Sequence, residues 1–125
     1  MSLRYFTVQE ANELLPQLEP LVGRVLTLRA RASHHSREMG SLLADLSSDI
    51  GGSLPSRLTG EFAEIEELIE RIQGYGIVLK SLEAGLLDFL CEREGRDVFL
   101  CWRYGEPTVQ YYHELHIGYQ GRRPI

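Results

Sequence analysis

The stretch LLDFLCEREGRDVFLCW, residues 86–102, decides how this chain folds. Two runs rich in apolar, β-branched and aromatic residues, 86–91 and 98–102, flank the turn-forming tetrapeptide EREG, the pattern of an antiparallel hairpin. With a tight turn at EREG, residue 91 lies near 96 and residue 88 near 99. A loop at RYGEP (103–107) closes a second hairpin, with 99 near 111 and 97 near 113. Because strand side chains alternate between faces, Asp88, Asp97, Cys101 and His113 then share one face with Leu86, Leu90, Phe99, Val109 and Tyr111. Leu87, Phe89, Val98, Leu100 and Trp102 form the other face. Both faces are apolar enough to need cover. With 77–79 as a further short run, the expectation is a three- to four-stranded antiparallel β-meander.

Upstream of residue 76 the apolar period changes from two to between three and four. Thr7-Val8-Gln9-Glu10 has the form of a capping box, so a helix starts there. Pro16 disfavours helical geometry at Leu15, which predicts a short N-terminal helix ending near Leu14 and a new helix beginning around Pro16 and Pro20. Leu18, Leu21, Val25, Leu28, Ala32, His35, Met39, Leu42 and Leu46 then follow steps of three and four, a coiled-coil-like seam. Leu58, Phe62, Ile65, Ile69 and Ile72 repeat the spacing after the turn-rich segment SSDIGGSLPS (47–56). Together they predict a long antiparallel helical hairpin with the fold-back near Gly51, placing Arg29, Arg31 and Arg37 opposite Glu64, Glu66, Glu67 and Glu70. The fold class expected is α+β in a single domain, 1–125, with a helical part over 7–74 and the meander and C-terminal tail over 75–125.

With 125 residues, of which 43% are hydrophobic, the chain can bury one core unaided. A net charge of −5 argues against a nucleic-acid partner, since phosphate binding needs a concentrated basic surface. No segment approaches the roughly 18 apolar residues of a membrane span, and the first residues lack a signal-peptide run, so a cytoplasmic protein with no membrane partner is expected. Cys91 and Cys101 fall on opposite faces of the hairpin and are expected as free thiols.

Candidate chemistry gathers after residue 84. Asp88 and His113 on one face could form an acid and base pair, or a polar pair satisfied in the interior. The segment YYHELH (111–116) suggests a two-histidine metal grip, but that needs a helix, whereas 109–112 has the character of a strand and Gly118 follows closely. The other nearby ligands, Glu114, Cys101 and Asp88, would have to converge from different faces. His113 is therefore expected to point into the sheet and bond a carboxylate, Asp88 or Asp97, with His116 exposed, and neither a metal nor a cofactor is expected.

Phe6-Thr7, Glu10-Ala11-Asn12, Leu14-Leu15-Pro16, Gly85-Leu86-Leu87-Asp88-Phe89, Leu100-Cys101-Trp102, Gly105-Glu106, His113, Gly118-Tyr119, Gly121-Arg122 and Pro124 occur in an order that resembles the bacterial domain of unknown function 2203 family. Tyr112, where that family usually has Trp, and His116 depart from the pattern. The resemblance implies a small cytoplasmic bacterial protein without an assigned activity. Its positions after residue 84 include Asp88, Trp102, Glu106, His113 and Arg122, types able to bind or catalyse, and these are the candidate site residues. The function expected first is a protein-interaction or scaffolding module acting as a homodimer, with a further protein partner possible. The alternative is a small-molecule-binding or hydrolytic protein using a polar site around Asp88, Glu106, His113 and Arg122.

Overall fold

A computed structural model describes residues 3–44 and 53–125. It is α+β, with two antiparallel helices, α1 (Val8–Ala44) and α2 (Ser53–Gln73), packed on a five-stranded antiparallel sheet. The strands β1 (Val78–Ser81), β2 (Leu86–Arg93), β3 (Arg96–Arg103), β4 (Tyr111–Glu114) and β5 (Arg123–Pro124) lie in sequence order. The sequence-expected turn over 47–56 and seam position Leu46 lie partly or wholly outside the described residues. No helix among the described residues is long and apolar enough to cross a membrane.

The capping box forms: the Thr7 amide donates to Glu10 Oε1 (2.9 Å) and the Glu10 amide to Thr7 Oγ1 (3.1 Å). The short first helix expected from Pro16 does not exist as a separate element, because α1 runs through both prolines. Pro16 and Pro20 are four apart and both exposed, so the two missing amides fall on the solvent side, where water can satisfy the carbonyls of Asn12 and Pro16. The opposite face carries Ala11, Leu15, Leu18, Val22 and Val25, all buried, and their packing outweighs the local penalty. At 37 residues α1 spans about 55 Å, against about 31 Å for the 21 residues of α2.

The helical pairing register differs from the fold-back expected near Gly51. Arg24, rather than Arg29 or Arg37, grips Glu64 through Nε and Nη2 (2.8 and 3.2 Å), with Arg31 nearby. His35 Nδ1 meets Glu61 Oε1 at 2.7 Å on the part-buried seam, while His34 faces outward beside Glu38. Val22 and Leu68 are buried where strict three-and-four stepping selects Leu21 and Ile69, both only half-buried. The helices face the sheet as well as each other, so the buried stripe is wider than a two-helix seam. Phe62 is left 52% exposed.

In the sheet, both expected hairpin registers are displaced by two residues. Glu94 and Gly95, at φ 53 and 79, form a two-residue turn, and pairing extends to Arg93 and Arg96, so Cys91 faces Val98 and Asp88 faces Cys101. Positive φ at both turn positions matches the right-handed strand twist, which a wider EREG loop would not. Phe99 likewise pairs His113 and Cys101 pairs Tyr111. A shift of two preserves faces, so Asp88, Asp97, Cys101 and His113 remain together. Val109 does not: it lies in a loop, buried in the core, and its amide donates to Asn12 Oδ1 of α1 (2.7 Å) instead of to a strand.

One continuous core joins Leu18, Val25, Leu28 and Ile72 of the helices to Leu87, Phe89, Leu100 and Trp102 on the inner sheet face. Phe6 closes one end by packing edge-on against Phe89. Gly85 illustrates why the β1–β2 connection needs glycine. Its φ is +71, and a Cβ there would come within 2.9 Å of Tyr104 Cβ and 3.1 Å of Val22 Cγ1.

Candidate functional site

The candidate residues divide into two neighbouring polar clusters and one core residue. Trp102 is the core residue. It points inward, is fully buried, and donates its indole N–H to the Glu106 carbonyl at 2.9 Å.

The first cluster occupies the outer sheet face, away from the helices. Asp88 of β2 is directly opposite Cys101 of β3, and His113 of β4 reaches diagonally across β3 toward both. His113 Nε2 lies 3.2 Å from Asp88 Oδ1, with only 2% and 1% of the two side chains exposed. Asp97 instead accepts the Tyr5 hydroxyl at 2.9 Å, so of the two expected carboxylates Asp88 is the partner. His113 Nδ1 lies 2.8 Å from the Glu114 carbonyl oxygen, which has no proton to give, so Nδ1 carries hydrogen. The Nε2 contact then holds one proton between imidazole and carboxyl, as neutral acid with imidazole or as carboxylate with imidazolium. Burial raises the Asp88 carboxyl above its usual range, against the opposing pull of His113. Burial, reinforced by the Asp88 charge, pushes the Cys101 thiol up to about 12. Asp88 Oδ2 is buried with no hydrogen-bond partner among the described residues.

His116 is exposed in the turn after β4 and shares nothing with His113, because the strand ends at Glu114. Glu114 points to the other face and pairs with Arg96 and Arg123 (2.9 and 2.8 Å). Cys101 and Asp88, by contrast, do converge with His113: one ligand atom from each lies within 4.8 Å of the others. The sequence reading counted Cys101 and Asp88 among the possible ligands but had them converge from different faces, whereas the register sets them directly opposite each other on one face. Cys91, on the other face, is also free.

The second cluster is the β3–β4 loop. Glu106 Oε1 accepts the Arg103 amide (2.6 Å), and both carboxylate oxygens accept Arg122 Nη2 (2.7 Å each). Arg122 comes from the C-terminal segment, is stacked 4.0 Å from the Tyr111 ring centre and 4.6 Å from that of Tyr119, and approaches the Cys101 carbonyl at 3.5 Å. It thus roofs the outer face beside the first cluster. Tyr111 and Tyr119 were not among the sequence candidates, since an aromatic stack is not encoded by local spacing.

His113→Ala is expected to destabilise by about 1–3 kcal/mol, leaving Asp88 buried without its partner, whereas His116→Ala is expected to be nearly silent. Urea denaturation of both variants is the measurement, and equal midpoints would contradict it.

No curated protein and no solved structure is significantly similar to the chain. The family described as Uncharacterized conserved protein (DUF2203) matches residues 4–125, a range that includes the hairpin and both clusters, and the chain belongs to that family.

Proposed function

We propose that this protein is an interaction or scaffolding module that acts as a homodimer, two helical hairpins packing face to face. The observation that carries the reading is the groove of about 880 Å³ along α1 and α2, lined by Leu26, Ala30, Phe62, Ile65 and Leu82 among others. An aromatic side chain half in water beside an apolar groove is the kind of anchor that a second surface buries. The margins are charged with opposite sign. Arg29 and Arg37 line the α1 side, and Glu66, one turn beyond Phe62, continues with Glu70 along the α2 side. A two-fold axis across this face sets the basic arm of one copy against the acidic arm of the other and drives each Phe62 toward the partner's groove.

Sedimentation equilibrium tests the proposal directly. The wild type is expected to reach twice the mass of one chain at micromolar concentration, and Phe62→Glu to weaken the dimer at least about thirtyfold, as loss of a central anchor does. Reversing both arginines (Arg29→Glu with Arg37→Glu) is expected to dissociate it, and adding Glu66→Arg with Glu70→Arg to restore it. A wild type that stays at single-chain mass contradicts the proposal. The alternative, a small-molecule or hydrolytic site at Asp88, Glu106, His113 and Arg122, has less support, since each of the four bonds to another group of the same chain.

A further inference from the structure

We propose that Asp88, Cys101 and His113 form a binding site for one divalent transition-metal ion of the zinc class. Three donors of different kinds, a carboxylate oxygen, a thiol sulfur and an imidazole nitrogen, converge from three adjacent strands. That mixture suits a borderline-soft ion and disfavours magnesium or calcium, which take oxygen. The orientation of His113 is the one a ligand needs. With Nδ1–H committed to the Glu114 carbonyl, Nε2 is the atom left to bind, and it is the atom that faces Asp88.

The second, independent observation is Asp88 Oδ2, buried in the cluster with no partner within hydrogen-bond distance among the described residues, so that the weakly donating Cys101 thiol, which interacts with the Asp88 carboxyl, is the nearest group able to meet it. A side chain only 1% exposed with an unpartnered oxygen is costly unless something positive meets it. A dication resolves the charge as well. Carboxylate, thiolate and M²⁺ sum to zero around a neutral imidazole, so the loaded site suits a dry sheet face where two bare anions would not. On binding, the thiol proton and the proton held between Asp88 and His113 leave, two protons for each ion. Bonds of 2.0–2.3 Å place tetrahedral donors about 3.3–3.8 Å apart. The donors, within 4.8 Å of one another, therefore need a contraction of no more than about 1.5 Å. Three protein ligands leave one coordination position for water or another small ligand.

The expectation from the sequence is the opposite, no metal, because His116 needs a helix and Glu114, Cys101 and Asp88 are taken to converge on His113 from different faces. The sheet register instead brings Asp88 and Cys101 to His113 on one face.

The test uses the full chain without a histidine tag, unfolded with chelator and refolded with cobalt(II) chloride. The expected result is a thiolate-to-cobalt charge-transfer band in the near ultraviolet that saturates at one equivalent and is displaced by zinc(II). Cys101→Ser should abolish that band while Cys91→Ser keeps it, and Asp88→Asn or His113→Ala should weaken binding by at least about tenfold. A wild type that gives no band, or a band that depends on Cys91 instead, overturns the site. X-ray absorption of the zinc-loaded wild type covers variants that fail to fold. One sulfur at about 2.3 Å among nitrogen and oxygen ligands is expected, and a shell with no sulfur or with two refutes the assignment.

Discussion

Trp102→Ala is expected to lower the unfolding free energy by about 3–5 kcal/mol, the largest effect of any single truncation considered for this chain. Trp102 is fully buried on the inner sheet face, opposite Leu87 and edge-on to Tyr104 at 6.1 Å. Truncation leaves a cavity between sheet and helices that neighbours in a continuous core cannot close. It also removes the indole N–H from the Glu106 carbonyl, and so loosens the loop that presents Glu106 to Arg122. Trp102→Phe separates the two contributions, because it retains much of the apolar volume and loses the donor, with an expected cost of about 1–2 kcal/mol. Urea denaturation followed by far-ultraviolet circular dichroism is the appropriate readout, since the substitution removes the chain's one tryptophan. A loss for the alanine variant no larger than that for the phenylalanine variant would contradict this account of the core.

The second large effect is expected at Glu106. Glu106→Ala removes both carboxylate contacts of Arg122, whose side chain is only 9% exposed, and the acceptor of the Arg103 amide. Breaking a buried pair from one side leaves the other charge uncompensated, at about 3–5 kcal/mol. Glu106 keeps 21% of its side chain in water, which lowers the expectation to about 2–4 kcal/mol. Combining Glu106→Gln with Arg122→Met should recover most of that loss, because an amide still accepts from Arg103 and no unpaired guanidinium remains. A double-mutant cycle in urea measures the coupling. If the double variant is no more stable than Glu106→Ala, the pair does not act as a unit and Arg122 contributes by stacking on Tyr111 and Tyr119.

Face assignment on the sheet was legible from residues 86–113 because strand side chains alternate with a period of two. The two-residue error in both hairpins left every residue on its correct side, apart from Val109, which left the strand. The Thr7–Glu10 capping box and the pairing of two long helices were legible for a similar reason: both are local patterns with steep geometric requirements. His113 buried against the sheet and His116 exposed followed from strand geometry and the nearness of Gly118.

What the sequence could not determine was everything decided by packing between elements. Whether Pro16 ends a helix depends on which face it occupies, and the buried stripe against the sheet sets that face. Pairing length around Glu94 and Gly95 depends on a backbone conformation that two positive φ values allow, not on the composition of EREG. The bond from Val109 to Asn12, the stacking of Arg122 on Tyr111, and the approach of Cys101 to Asp88 and His113 join residues far apart in the chain, up to 97 positions in the first case. Such contacts leave no local period to read, because their energy exists only once the strands and helices have been brought into register.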